Sequence, residues 1–422
     1  MPIDNPEQLL RALFQASVDA ADPLKCLPGK LPPPPKGKTL VIGAGKASGA
    51  MAKAVEQEWK GELSGLIVTQ YGYGMACDQI EIVEAAHPVP DQKGRDAAGR
   101  ILELAKGLGE DDLCIALMSG GASSLLSLPA DDLSLDDKQQ VNKLLLRCGA
   151  TITEMNCIRK HLSAIKGGRL AAAAAPARLV TLMVSDVPGD DPSVIGSGPT
   201  VPDASTFEDA RGIVEKYNLQ LPASVAAYLE EGVLETPKQG DTVFANSTSQ
   251  FIALPSASLK AATVVAEGMG LNPVVLGDDL EGESREVAAQ HAELALQISN
   301  GQGPVSTPAV ILSGGETTVT LKGSGRGGRN SEFILALAKS LEGAEGIYGI
   351  ACDTDGIDGS EDNAGAIVTP DTLARAIATG VDTSAYLDDN NAYEFFEKLG
   401  DLVKTGPTYT NVNDFRAVLV LS

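Results

Sequence analysis

Several glycine-rich segments of this sequence follow short apolar runs and carry residues able to handle an anion. In LVIGAGKASGAM, Gly43, Gly45 and Gly49 are spaced G-x-G-x-x-x-G with Lys46 inside the turn. A strand-to-helix turn of this kind aims backbone N–H groups and the positive helix end at one point. It can seat a phosphate or a carboxylate. As a dinucleotide signal the spacing is weak, because the next strand, GLIVTQYGYG, ends without the acid that would hold a ribose 2′-OH. A lysine there suits a phosphoryl or carboxylate group instead. The second turn, ALMSGGASSLL, offers Ser119, Gly120, Gly121 and Ser123 as donors. Neither segment has the G-x-x-x-x-G-K-[ST] spacing of a P-loop, and protein-kinase signatures are missing.

Other segments add charge. In MNCIRKHLSAIKGGRL, Arg159, Ser163 and Lys166 fall at i, i+4 and i+7, the spacing of one helix face, with Arg169 close behind. They form either a solvated basic face or an anion site. LVTLMVSD delivers Asp186 to the carboxyl end of a strand, and Asp190, Asp191 and the Gly196-Ser197-Gly198 turn follow. Open α/β sheets bind ligands at such ends, where Asp186 or Asp190 could hold Mg²⁺ or merely cap turns. Further on, Ser313, Gly314, Gly315 and Glu316 follow a strand, and Lys322, Arg326 and Arg329 lie among glycines before a helix. Glycine-flanked arginines can approach phosphate bidentately. Asp353, Asp355 and Asp358 do not fit an EF-hand loop, and Thr408, Thr410, Asn411 and Asp414 form a polar loop before the last strand.

The elements that must position these residues follow from the pattern. Apolar runs alternate with helix-period segments from Thr39 onward, which signals parallel strands with crossover helices, a doubly wound α/β sheet. Leu9, Leu10, Leu13, Phe14 and Val18 predict an amphipathic N-terminal helix, and Ala171–Ala175 reads as a helix end before a strand. At 422 residues two domains are expected, with a cleft. The composition shift near Glu235 puts them at 1–235 and 236–422. The second is also α/β, and GGETTVTLKGSG suggests a hairpin and a mixed sheet. With 33 basic against 56 acidic residues, the net charge of −23 disfavours nucleic acid and anionic membranes as partners. Small anions would then need a local cationic patch. No apolar run reaches the ~18 residues of a bilayer span, and six scattered cysteines suggest a reducing compartment. A cytoplasmic protein is expected.

Together, VIGAGKASGAM, EAAHPVPD, MSGGASSLL, RKHLSAIKGGRLA, VSDVPGDDPSVIGSGPTVPD, LEGESREVA, SGGETTV, GGRNSEF, CDTDGIDG and TGPTYTNVNDF resemble the class II glycerate kinases, the glycerate 2-kinases of MOFRL type. Some members of that family carry a hydroxypyruvate-reductase label. The resemblance runs in order along nearly the whole chain. It implies a Rossmann-like N-terminal domain and a smaller C-terminal one, an active site in the cleft, and ATP-dependent, Mg²⁺-assisted phosphorylation of D-glycerate at its 2-hydroxyl. It also places the family's cleft lysine on Lys46 and its cleft arginine on Arg329 or, second, Arg326. On this reading Asp186 or Asp190 holds Mg²⁺ and Asp355 orients or deprotonates the hydroxyl. The rivals are an NAD(P)-dependent reductase of hydroxypyruvate or tartronate semialdehyde, and a non-catalytic anion-binding protein. Oligomeric state is left open, with a homodimer admissible.

Overall fold

The computed structural model describes residues 4–131 and 133–421, and the chain divides into two compact units. One is Cys26–Ile252. The other joins the residues from Ala253 onward to the N-terminal stretch up to Lys25. No helix among the described residues is long and apolar enough to cross a membrane.

In the Cys26–Ile252 unit, strands β1 (Thr39–Ala44), β2 (Ser64–Gln70), β3 (Ile80–Ala85), β4 (Leu113–Met118), β5 (Arg178–Val184) and β6 (Ser247–Ala253) form one sheet. Its order is β3-β2-β1-β4-β5-β6, and the pairs from β3 to β5 are parallel. β1 and β4 are buried along their whole length, as strands covered on both faces must be, which explains their unbroken apolar runs. This order reverses between β1 and β4, so the crevice for a ligand lies at their carboxyl ends.

The second unit is built on β7 (Asn272–Gly277), β8 (Ala309–Ser313), β9 (Ile347–Asp353), β10 (Gly365–Val368), β11 (Leu402–Val403) and β12 (Asp414–Val420), in the order β11-β10-β9-β12-β8-β7. Only β7 and β8 pair in parallel, so the sheet is mixed as expected. It is mixed because β7 joins β8 in parallel while β8, β12, β9, β10 and β11 pair antiparallel, not because of a hairpin after β8. The segment after β8 makes only an isolated bridge, Thr318 to Glu283. Along β12, Val418 and Val420 face a core containing the helices Ser284–Ser299 and Arg329–Leu341, while Phe415, Ala417 and Leu419 face one containing the helices Pro6–Ala21 and Pro255–Gly268.

The helix Pro6–Ala21 has the predicted apolar stripe, all of it buried, but the sheet it covers is the second one. The change of unit after Ile252 also differs from the composition shift at Glu235. Residues 236–252 stay with the first unit because Thr236 donates to Asp203 at 3.0 Å, Asp203 N–H donates to Pro237 O at 3.0 Å, and β6 takes the sheet edge.

Candidate active site

At the carboxyl ends of β1 and β4 the two glycine turns are locked side by side. Lys46 N–H donates to Gly120 O at 2.8 Å and Ala47 N–H to Ser119 Oγ at 3.0 Å. The Ser119 hydroxyl also lies 3.2 Å from that of Ser48. Glycine is required here by close approach: a Cβ on Gly43 would lie 2.0 Å from Leu117 O, and one on Gly45 2.1 Å from Ser119 Oγ. Ser119 is fully buried, so the structure uses it to rivet the turns together. Gly121 has φ +82°, and a Cβ there would meet the His87 ring at 3.1 Å and Lys46 Cγ at 3.6 Å. Lys46, Gly121 and His87 are therefore neighbours.

Next to them a cavity of about 210 Å³ is lined by Gly121, Ser123, Lys138, Asn142, Arg159 and Lys166, among others. Lys166 is buried and its ammonium donates to Ser123 O and, at 2.9 Å, to Ser123 Oγ. Ser123 Oγ lies 2.8 Å from Ser197 Oγ, and Ser197 donates to Asn156 at 3.3 Å. The Gly196-Ser197-Gly198 turn is thereby drawn against the β4 turn, with Gly167 and Gly168 N–H groups donating to Ser197 and Gly198 carbonyls. Burial, reinforced by Lys138 and Arg159, holds the Lys166 pKa well below the usual lysine range. Burial also lowers that of Arg159, and with Arg159 nearby brings Lys138 down to about 7.

The predicted basic helix face is not continuous. The helix Ile152–His161 is capped by Leu162, so Ser163 and Lys166 lie beyond it, and Arg169 opens another helix with its guanidinium on Leu234 O. Gly167 and Gly168, at φ +56° and +80°, turn the chain there. Arg159 and Lys166 still reach the same cavity, with Arg159 Nε donating to Asn142 at 3.0 Å. Sequence reasoning missed Lys138 and Asn142. The available signal was a lysine on the apolar stripe of the helix Leu135–Cys148, where Lys138, Val141 and Leu145 are the buried positions.

Beyond β5, Asp186 is partly buried, and Asp190 sits at φ +52° with Oδ1 buried and without a hydrogen-bond partner. A buried acceptor lacking a donor fits a cation. No group of three or more metal-ligating side chains occurs among the described residues. Mg²⁺ here would complete its shell with phosphate oxygens and water, as it commonly does.

In the second unit, Asp358 accepts from Asn330 and Ser331 N–H at 2.9 and 2.8 Å, fixing the start of the helix Arg329–Leu341. Gly328 is needed because a Cβ would lie 2.2 Å from Asp358 Oδ1. The Arg329 side chain is thus aimed into three carboxylates: Glu316 at 2.9 Å, Asp353 at 2.8 Å and Asp414 at 2.9 Å. Burial opposes its charge, but Asp414, Asp353 and Glu316 outweigh it and push its pKa well above the ordinary value. Asp414 also pairs at 2.6 Å with Arg416, a fully buried arginine that sequence reasoning did not single out. Arg326 lies apart, half-exposed, bonded to Glu361 and stacked on Tyr393.

The remaining candidates in this unit have structural partners. Ser313 Oγ lies 2.8 Å from His291 Nε2, and Arg416 donates to Gly314 O at 2.9 Å. Asp414 N–H donates to Gly315 O at 3.2 Å, and Thr410 donates to Ala21 O at 2.7 Å. Asn411 accepts from Asn413 N–H at 3.2 Å, and Asp355, almost fully buried, accepts from Ile357 N–H at 2.8 Å.

Residues 9–230 match the profile described as a domain of unknown function, DUF4147, and residues 309–414 match the MOFRL family. The chain is 53% identical over 416 residues to an Agrobacterium vitis protein named "Putative hydroxypyruvate reductase", covering 98% of this chain and 94% of that one. It is 39% identical over 422 residues to the D-glycerate 2-kinase of Thermotoga maritima, covering 99% and 100%. The crystal structure of a Thermotoga maritima glycerate kinase superposes with a TM-score of 0.89 at 38% identity, covering 98% of this chain and 99% of that one.

Proposed function

The chain is an enzyme of the MOFRL-type glycerate kinase family, and from that premise we propose that it transfers the γ-phosphoryl group of ATP to the 2-hydroxyl of D-glycerate. The observation that carries this reading is the pair of locked turns at the β1/β4 switch point, with Lys46 on one and buried cations beside the other. Both substrates are anions, and a protein of net charge −23 needs such a patch to hold them.

The glycerate oxygen bonds to the γ-phosphorus while the bond from phosphorus to the β-bridging oxygen breaks. ADP leaves with that electron pair. The hydroxyl proton passes to a carboxylate, assigned to Asp355. Charge in such a loose transition state sits on the phosphoryl oxygens, so positioned cations do most of the work. Lys46 and Arg329 are assigned to it. Arg329 engages phosphate by exchanging Glu316, the more exposed of its partners. Asp186 or Asp190 would hold Mg²⁺, which would supply neutralisation of the phosphate charge.

The test is product analysis. ADP release that requires both D-glycerate and Mg²⁺, with a 2-phosphoglycerate signal by NMR, supports the reading, and Lys46→Met should lower kcat by about 10²–10³. The name of the Agrobacterium vitis relative favours a second reading, hydroxypyruvate reduction. NADH oxidation with hydroxypyruvate, without ATP consumption, would replace the kinase by the reductase.

A further inference from the structure

We propose that the cavity formed by Lys138, Arg159 and Lys166 seats the carboxylate of the hydroxy-acid substrate, with Lys138 a substrate-binding residue. This rests on the kinase reading and extends it to a subsite. Three cations from separate segments converge on one cavity, and none of them pairs with a carboxylate among the described residues. Lys138 and Lys166 are both buried, with Leu128 O and Ser123 as their hydrogen-bond partners. Buried charge is costly unless an opposite charge meets it, and the depressed lysine pKa values record that cost. An anionic occupant supplies the missing charge.

Size and lining decide which anion. At about 210 Å³ the cavity is smaller than the ~300–1,000 Å³ that larger ligands occupy, so it takes a three-carbon acid and excludes a nucleotide. Its lining has no Phe, Tyr or Trp to stack on an adenine. An arginine and two lysines suit a carboxylate, and Ser123, Ser124 and Asn142 offer polar groups for the acid's hydroxyls. Gly121 belongs to this lining and also adjoins Lys46, which places the acid beside the lysine assigned to the transferred group.

The experiment compares the parent with Lys138→Met and Lys138→Arg. With Lys138→Met, the KM for D-glycerate should rise about tenfold or more and that for ATP should stay within about twofold. Lys138→Arg, which keeps the charge, should restore much of the loss. Calorimetric titration with D-glycerate, without nucleotide, should show the same order of affinities, and neutral glyceramide should not distinguish parent from Lys138→Met. A Tm for Lys138→Met at or above the parent's shows that folding is intact, and if it fails to fold Lys138→Arg carries the comparison through its charge selectivity. A raised KM for ATP with glycerate unaffected would overturn the proposal, as would no change in either. If the parent does not phosphorylate glycerate, the kinase reading falls while calorimetry still decides the cavity: Lys138-dependent glycerate binding keeps it, and indifference to the substitution sinks it.

Discussion

In the second unit Arg416 is fully buried, yet Asp414 lies 2.6 Å away and Arg329 is ringed by Glu316, Asp353 and Asp414. In the first, Lys138, Arg159 and Lys166 are gathered among backbone carbonyls, hydroxyls and an amide. Both sets are basic residues that are at least partly buried. Their electrostatics are opposite. Arg416 is neutralised by the fold and helps hold it together, and Arg329 is positioned by carboxylates of which only Glu316 is exposed enough to yield, whereas the first group is left for something outside the chain to balance. A cation's partners, more than its presence, separate a structural role from a binding one.

The sharpest way to break this contrast is to remove a charge from each side. Arg416→Met strips a buried partner from Asp414 and should cost about 3–5 kcal/mol, read as a lower urea midpoint. Replacing Arg329 by Ala confounds catalysis with the same kind of loss, so Arg329→Lys is the better kinetic probe, with kcat falling about tenfold or more while the Tm shifts little. Lys138→Met should behave in the opposite sense. A lysine that titrates at 10.5 when unfolded and at about 7 when folded binds fewer protons in the native state between those values. Parental stability therefore rises with pH from about 7 toward 10.5, and below 7 the full penalty is present. Arg159, Lys166 and His87 line the same cavity, with no carboxylate among its lining residues to reverse the sign. The variant should lose that slope, so the Tm difference between parent and variant should be largest at pH 6 and shrink by pH 9. Smallest is Thr410→Val, which removes one hydrogen bond to Ala21 O and should cost about 1 kcal/mol by the same denaturant measurement.

Much of the architecture was legible because strands buried on both faces leave unbroken apolar runs, as in β1 and β4, and because Gly43, Gly45 and Gly328 mark places where only a bare Cα fits. Arg159 and Lys166 were identified by type, although the helix assumed to align them ends at His161. Long-range pairing was not legible. Nothing local in the turn-like segment LETPKQG says that residues 236–252 return to the first sheet, and nothing near Thr410 announces Ala21 as its partner. Lys138 escaped notice because a lysine on a helix is expected at the surface, and its burial depends on what the neighbouring segments bring to it.

The docking of the helix Pro6–Ala21 on the sheet that contains β12 has a consequence for biosynthesis. This helix leaves the ribosome about 400 residues before Phe415, against which Phe14 packs at 6.0 Å between ring centroids. Residues 26–252 form a unit complete in itself and can fold while the chain is still being made. The helix Pro6–Ala21 must instead wait with its apolar stripe uncovered until β12 has been made, so a nascent chain stalled before β12 should recruit chaperones through this helix.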